Sequence, residues 1–235
     1  MYTDKKVNIV YFCWCNPKKD YKTIITGQLK ELISYNILQI SKLYIEVCCE
    51  DVNLIENVKM CLDEILKCND YEINFHEQNR YEYYGIKKLY DLAVLEPYKY
   101  FVYLHSKGIF NYDNVNERHI YEKTLTKGTI QNYKKIVELF DNNKNIMKAC
   151  IFPANMHSNN FCWYNFYWAK GIYLITCENP IITKDRYYYE RWSESGDNSM
   201  GTVYNIYENN YKKYILNEYG YILNMLNGTF PDIES

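Results

Sequence analysis

The sequence predicts an α/β fold of Rossmann type, with a mostly parallel sheet flanked by helices in a single domain. The chain has 235 residues, which fits one α/β domain, and 48% of them are hydrophobic, enough for a full core. In its first half, short apolar runs of β-forming residues alternate with longer stretches of helical periodicity. This alternation is typical of a parallel sheet with helices on both faces.

Four strands and three helices are predicted before residue 106. The predicted strands are short runs rich in β-forming residues, at 7–14, 43–49, 72–76 and 100–104. The predicted helices carry an apolar stripe along one side, at 23–38, 52–66 and 85–95. Because active sites of such sheets lie at the carboxyl ends of the strands, we expect functional side chains there.

The second half of the chain is less regular. Helices are predicted at 129–140, 171–177, 187–192 and 211–226, and one strand is predicted at 147–152. A polar loop at 155–160 precedes an aromatic block at 161–168, and a second polar loop at 193–200 is a candidate mobile segment. Since no internal repeat or linker is visible, residues 1–235 are predicted to form one domain.

Composition and charge argue against several classes of protein. The net charge of −2 gives no electrostatic basis for binding nucleic acid or an anionic membrane. No apolar run reaches the roughly 18 residues of a spanning helix, and the run at 7–15 is too short for a secretory signal. We therefore expect a cytoplasmic protein without a transmembrane segment. The nine cysteines, without a C-x-x-C spacing, are expected to be buried free thiols.

Three short motifs place charged groups beside aromatic residues. The first is Tyr103-Leu104-His105-Ser106-Lys107-Gly108, at the end of the fourth predicted strand. The second is Asn165-Phe166-Tyr167-Trp168-Ala169-Lys170. The third is Arg186-Tyr187-Tyr188-Tyr189-Glu190-Arg191-Trp192. Such groups suit a site for an anionic donor and a sugar, because lysine balances phosphate charge and aromatic faces stack on sugar rings.

The order of elements between residues 79 and 108 resembles that of GT-A-fold glycosyltransferases. In that family a strand, a glycine-containing turn, a helix and a strand precede an Asp-x-Asp motif, which holds a divalent ion on the diphosphate of a nucleotide sugar. Here His105 and Lys107 stand at the two acidic positions. Lysine neutralises diphosphate directly, and His105 is a candidate metal ligand or phosphate donor. Metal-free binding and a Mn²⁺ or Mg²⁺ cofactor both stay open.

The chain also resembles a group of glycosyltransferase-like proteins of bacteria and large DNA viruses. Their segments are Tyr-x-His-x-Lys-Gly, an Asn-Phe-Trp-Trp-Ala type and Arg-Tyr-x-x-Glu-x-Trp, which match the three motifs above. An upstream Asn-x-x-Glu segment matches Asn79-Arg80-Tyr81-Glu82. The resemblance covers residues 79–192, and it departs at Trp163-Tyr164, where Ser-Gly is expected.

For the donor, this resemblance implies a nucleotide-binding half at 1–108, followed by an acceptor and catalytic half at 109–235. Lys107 and Arg186 would balance the charge of the leaving diphosphate, with His105 beside them. The positions implied to face the base or ribose are Tyr11, Phe12, Asn79 and Glu82. The expected donor is a UDP- or GDP-linked sugar.

For the reaction, the resemblance implies an inverting transfer to a glycan or other hydroxyl acceptor. Glu190 would be the carboxylate base that takes the proton of the attacking hydroxyl. Asn165, Trp168 and Trp192 would contact the sugar or acceptor. If the source is viral, the expected location is the host cytoplasm.

Other interpretations stay open. A non-catalytic saccharide-binding module needs neither an anion site nor a base, so Lys107 and Glu190 distinguish it from a transferase. A degenerate transferase that binds nucleotide without turnover is a third class, and a retaining mechanism is equally compatible with the sequence. His76 and His157 are further candidate contacts, the alternative for each being a structural histidine.

Overall fold

The computed structural model describes residues 5–67, 70–106, 120–153 and 162–206. Seven strands belong to one sheet: β1 (Val7–Cys15), β2 (Ser41–Cys49), β3 (Tyr71–His76), β4 (Tyr100–His105), β5 (Ile146–Cys150), β6 (Tyr167–Lys170) and β7 (Thr202–Asn205). The α-helices in these ranges are α1 (Tyr21–Ser34), α2 (Ile55–Leu66), α3 (Tyr83–Leu95), α4 (Ile120–Ile130), α5 (Tyr133–Asn142), α6 (Gly171–Leu174) and α7 (Arg186–Arg191). The predicted loop at 155–160 and helix at 211–226 lie outside the described residues.

The sheet is mixed but mostly parallel, with the strand order β3-β2-β1-β4-β6-β5-β7. The first four strands pair in parallel, so their carboxyl ends lie along one edge. Strand β6 runs antiparallel to both β4 and β5, and β7 is parallel to β5. The amino end of β6 therefore lies at the same edge as the carboxyl end of β4. The predicted α/β class and mostly parallel sheet are confirmed.

Helices cover both faces of the sheet, as the alternating pattern predicted. Strand β1 is buried along its whole length. Tyr11 and Phe12 are consecutive in β1 and so point to opposite faces. The hydroxyl of Tyr11 donates to Gln28 of α1 at 2.6 Å, whereas Phe12 lies against Gly85 of α3. Helices α1 and α3 therefore enclose β1 between them.

Two predicted helices have the wrong bounds. The predicted helix 23–38 ends as α1 at Ser34, because Asn36 has a left-handed φ of 60° and a 3-10 turn follows at Ile37–Gln39. The predicted helix 129–140 is in fact the end of α4 and most of α5, which are separate helices. Ile130 and Tyr133 are both buried, so a single apolar stripe continues across the break and hides it in the sequence.

Smaller corrections concern the second half. Helix α6 is one turn, shorter than the predicted 171–177, and the predicted strand 147–152 is β5, which ends at Cys150. The aromatic block divides into a 3-10 turn (Trp163–Asn165) and strand β6, neither of which was assigned from the sequence. The predicted loop at 193–200 contains two 3-10 turns and buries Ser193. Strand β7 was missed.

The eight described cysteines are free thiols, and seven of them are buried. Burial raises the pKa of the Cys48 thiol to about 12, with the carboxylate of Glu50 adding to the shift. The prediction of buried free thiols is therefore confirmed for seven of the eight described cysteines, while Cys61 is only partly buried.

Gly85 permits the close approach of α3 to the sheet. A Cβ atom at this position would lie 2.7 Å from Cβ of Phe12 and 2.8 Å from the hydroxyl oxygen of Tyr103. Both neighbours are buried in the core, so neither has room to move aside. The first turn of α3 can therefore pack on β1 and β4 only with glycine at residue 85.

Gly85→Ala is expected to lower the free energy of unfolding by about 1–3 kcal/mol, the usual cost of overpacking a core. Urea denaturation followed by circular dichroism measures this change. Gly27→Ala is the matched control, because it places alanine within α1, where propensity alone favours it by about 1 kcal/mol. Equal stability of the Gly85→Ala variant and the wild type would contradict the close approach.

Candidate functional site

The carboxylate of Glu82 lies at the centre of a hydrogen-bond network at the carboxyl edge of the sheet. Its Oε2 atom accepts the hydroxyl of Tyr103 at 3.1 Å and the side-chain amide of Asn165 at 3.0 Å. Its Oε1 atom lies 3.7 Å from Nδ1 of His105. Only 15% of the Glu82 side chain is exposed. We call Glu82, Tyr103, His105 and Asn165 the Glu82 network.

The Glu82 network joins all four sequence segments of the resemblance. Glu82 ends the Asn-x-x-Glu segment, Tyr103 and His105 belong to the first motif, and Asn165 begins the second. The amide of Asn165 also donates to the main-chain carbonyl of Tyr189 in the third motif, at 3.0 Å. The fold thus brings together segments that are up to about a hundred residues apart in the chain.

His105 is held through both its ring and its main chain. Its Nε2 atom lies 2.8 Å from the carbonyl oxygen of Tyr164, and its own carbonyl accepts the buried amide of Gln28 at 3.1 Å. Because a carbonyl oxygen only accepts, Nε2 carries the hydrogen and does not serve as a metal ligand in this arrangement. Within the ranges that the structure describes, no group of three or more His, Cys, Asp or Glu side chains is arranged to hold a metal ion.

Tyr103 is a fixed donor in the Glu82 network. Burial raises the pKa of its hydroxyl well above the ordinary value, and the neighbouring carboxylate of Glu82 raises it further. The hydroxyl therefore stays protonated and donates to Glu82 at any physiological pH. This bond keeps the carboxylate oriented toward Asn165.

Asn165 is fully buried and its amide orientation is determined by its neighbours. Both atoms that contact Nδ2, the carboxylate of Glu82 and the carbonyl of Tyr189, are acceptors, so the nitrogen must face them. Among the described residues, Oδ1 of Asn165 has no hydrogen-bond donor. A buried acceptor without a donor is unfavourable, and the two bonds of Nδ2 offset that cost.

The backbone around the Glu82 network is strained. Five non-glycine residues of the described chain have a positive φ, and three of them lie in or directly beside this network: Tyr81 at 54°, Tyr164 at 68° and Asn165 at 53°. Large side chains rarely adopt this conformation. Tyr164 stands where the resemblance expects glycine, which would adopt this φ without strain. Such strain persists only where surrounding contacts enforce it, and it is common at functional sites.

Asn79 stabilises one of these strained residues. Its side-chain oxygen accepts the main-chain N–H of Tyr81 at 3.0 Å, in a turn that orients the segment before Glu82. Asn79 was predicted to contact the base or ribose of a nucleotide. In the structure its side-chain oxygen supports the turn that carries Glu82.

Four other predicted contact residues lie in the core. Trp168 and Trp192 are almost fully buried, and their indole N–H groups donate to the carbonyls of Thr129 at 2.7 Å and Glu178 at 2.8 Å. Tyr11 and Phe12 lie in the middle of β1, under α1 and α3, rather than at the strand end. All four side chains are therefore buried and do not face solvent.

Helix α7 carries the predicted base, Glu190, next to the Glu82 network. Glu190 is half-buried and directly follows Tyr189, whose carbonyl accepts from Asn165. Arg191 forms an ion pair with Asp185 at 3.4 Å. Arg186 is exposed, with its guanidinium 4.8 Å from the ring centre of Tyr187. Lys107 and His157 lie outside the described residues.

A buried lysine fixes the segment that follows α7. The amine of Lys148 on β5 donates to the carbonyl of Ser193 at 2.7 Å and lies 4.7 Å from the ring centre of Tyr173. Burial lowers the pKa of this lysine. Together with Asn165, it holds α7 and the following turn against the sheet edge.

His76 belongs to a second polar group, at the ends of β2 and β3. Its Nε2 atom lies 2.6 Å from Oε2 of the buried Glu46, which also accepts the amide of Asn74 at 2.8 Å. The ring of His76 is stacked on Tyr84 at 3.6 Å. Neither Glu46 nor Gln28 was identified from the sequence, because single polar residues within apolar patterns give no signal of their partners.

Comparison with known proteins adds no relative: no family model matches the chain, and no curated protein matches its sequence. The fold itself defines a mixed α/β protein with a mostly parallel sheet and a polar network at its strand-end edge. In the described ranges, no helix is long and apolar enough to cross a membrane.

Glu82→Ala is expected to lower the free energy of unfolding by about 1–3 kcal/mol, because the buried hydroxyl of Tyr103 loses its acceptor. Thermal and urea denaturation measure this change. Glu64→Ala, an exposed position on α2, is the control and should alter stability by less than about 0.5 kcal/mol. Similar small effects of both substitutions would show that the carboxylate does not hold these segments together.

Proposed function

We propose that this protein is a glycosyltransferase that moves a sugar from a nucleoside-diphosphate sugar to a hydroxyl of a glycan acceptor. The observation that carries the proposal is the meeting of all four motif segments at the Glu82 network, where Asn165 links the carboxylate of Glu82 to the third motif. Segments that form only local turns are not required to lie close together in the fold, whereas the parts of one active site are. The edge at which they meet is also where parallel α/β sheets bind ligands.

The proposed chemistry assigns the base to Glu190. The acceptor oxygen attacks the anomeric carbon, its proton passes to the carboxylate, and the bond from that carbon to the diphosphate breaks. Glu82 is poorly suited to this role, since one of its oxygens already accepts two hydrogen bonds and the other faces His105. We therefore assign Glu82 to positioning and keep the base on α7.

The departing diphosphate needs positive charge. Lys107 directly follows the strand-end segment of His105, and Arg186 begins α7, so we assign this role to these two side chains. Stabilisation by fixed cations is the usual way to lower the barrier for such a leaving group. A Mn²⁺ or Mg²⁺ ion would supply the same charge, although the described side chains offer no cluster to hold one.

The donor is proposed to be a UDP- or GDP-linked sugar and the place of action the cytoplasm, or the host cytoplasm for a viral protein. The support is the resemblance of the motifs. A non-catalytic saccharide-binding protein is the alternative, and it requires no nucleotide.

Nucleotide binding is the first prediction of this proposal. In a thermal-shift screen against UDP, GDP, their sugar conjugates, CMP and TDP, with and without Mn²⁺, one nucleotide is expected to raise the melting temperature. A ligand at about 100 times its dissociation constant adds about 2.7 kcal/mol to stability. Lys107→Ala should weaken that binding by about 1–3 kcal/mol, whereas Lys59→Ala on the exposed side of α2 should not. An unchanged melting temperature with every nucleotide would favour the saccharide-binding alternative.

Loss of turnover without loss of donor binding is the second prediction. Glu190→Gln keeps the size of the side chain but removes its capacity as a base, so transfer should be abolished while nucleotide affinity stays within a few-fold. Product formation from the nucleotide sugar identified in the screen measures this, and Glu64→Gln is the control. Unchanged turnover in the Glu190→Gln variant would remove this residue from the base role.

A further inference from the structure

Two exposed aromatic rings flank the Glu82 network, and the sequence assigned a ligand to neither. Four aromatic side chains are exposed in the described part of the chain: Tyr81 at 44%, Trp163 at 42%, Tyr187 at 55% and Tyr98 at 88%. Tyr187 packs against the guanidinium of Arg186. Tyr98 precedes β4 and so lies at the opposite, amino-terminal edge of the sheet. Tyr81 and Trp163 remain as the exposed rings beside the network.

Each of these two rings is coupled to the network by its own chain segment. Tyr81 directly precedes Glu82, and its ring lies 6.5 Å from that of Tyr189, whose carbonyl accepts from Asn165. Trp163 directly precedes Tyr164, whose carbonyl accepts from His105. The main chain beside each ring is therefore held to the network by hydrogen bonds of neighbouring residues.

Backbone strain supports a functional reason for the exposure of these rings. An exposed tyrosine is ordinary by itself, but Tyr81 has a φ of 54°, and Tyr164 next to Trp163 has a φ of 68°. A loop without a functional role could adopt an unstrained backbone, and glycine would relieve the strain at either position. The strained segments instead present large rings at the rim of the polar network.

We propose that Tyr81 and Trp163 form the saccharide-contacting part of this site, where their faces stack on the C–H face of a pyranose ring in the acceptor. The ligand class follows from the combination of amphipathic rings with a rim of hydrogen-bonding groups, since a pyranose has one apolar face and a polar edge. This assignment replaces the buried Trp168 and Trp192 as acceptor contacts. It rests on the proposed transfer only in calling the bound sugar an acceptor.

The test begins with the wild-type protein on an array of glycans that end in the common pyranoses. The glycan that binds best is then titrated against the variants by calorimetry. Tyr81→Ala and Trp163→Ala are each expected to weaken binding roughly three- to tenfold, the equivalent of about 0.7–1.4 kcal/mol. Tyr98→Ala, which removes an exposed ring at the other edge of the sheet, is expected to leave the affinity unchanged.

Two further variants separate contact from folding. Tyr81→Gly removes the ring and at the same time relieves the positive φ, so any loss of affinity cannot be assigned to added strain. Tyr81→Phe keeps the ring and should keep most of the affinity. The melting temperature of each variant is measured alongside. No glycan binding by the wild type, or wild-type affinity in both alanine variants, would overturn the proposal.

The outcome for the sugar contact is distinct from the outcome for the proposed transfer. Glycan binding that depends on Tyr81 and Trp163, in a protein that binds no nucleotide, would support the contact and reject the transferase. Transfer activity with unchanged acceptor affinity in the alanine variants would support the transferase and reject the sugar contact. Where the wild type does bind a nucleotide, the nucleotide affinity of these variants should equal that of the wild type.

Discussion

The carboxylate of Glu82 is the interaction on which the arrangement of this edge depends. It accepts hydrogen bonds from the hydroxyl of Tyr103 on β4 and from the amide of Asn165, before β6. The same amide also donates to a main-chain carbonyl of α7. A carboxylate with so little exposure would be costly without these bonds, and the buried donors would be equally costly without the carboxylate. The buried carboxylate and its buried donors belong to different chain segments. Each segment therefore depends on the others for the hydrogen bonds that offset the burial of its polar group.

The close packing of α3 makes this arrangement possible. Glu82 directly precedes α3, and the absence of a side chain at Gly85 lets the first turn of that helix reach Phe12 and Tyr103. The same contact sets the hydroxyl of Tyr103 beside the carboxylate. The packing of α3 and the hydrogen bond to Glu82 therefore depend on each other, since a larger residue at position 85 would displace the hydroxyl of Tyr103. The strained residues on both sides of the network are held by hydrogen bonds, Tyr81 through Asn79 and Tyr164 through His105.

For function, the structure places two of the expected sugar contacts in the interior. Tryptophans in a motif suggest a binding wall, but Trp168 and Trp192 lie in the core with their indole N–H groups bonded to carbonyls. Polar motif residues behave in the same way: Asn79 supports a turn, and Asn165 joins Glu82 to α7. The proposed chemistry is left to side chains outside the network, above all Glu190, which follows Tyr189 on α7.

The sequence by itself determined the α/β class, the four parallel strands and the helices between them, because burial on a sheet or along one side of a helix imposes a period that can be read locally. It also singled out the four segments that meet at the Glu82 network. The break between α4 and α5 was hidden, since one apolar stripe serves both helices. Only the tertiary structure decided that Glu82 and Asn165 join the four segments, that Gln28 holds the backbone of His105, and which aromatic rings face solvent. These features depend on contacts between residues far apart in the chain, and hydrogen-bond partners at such distances leave no periodic pattern in a single sequence.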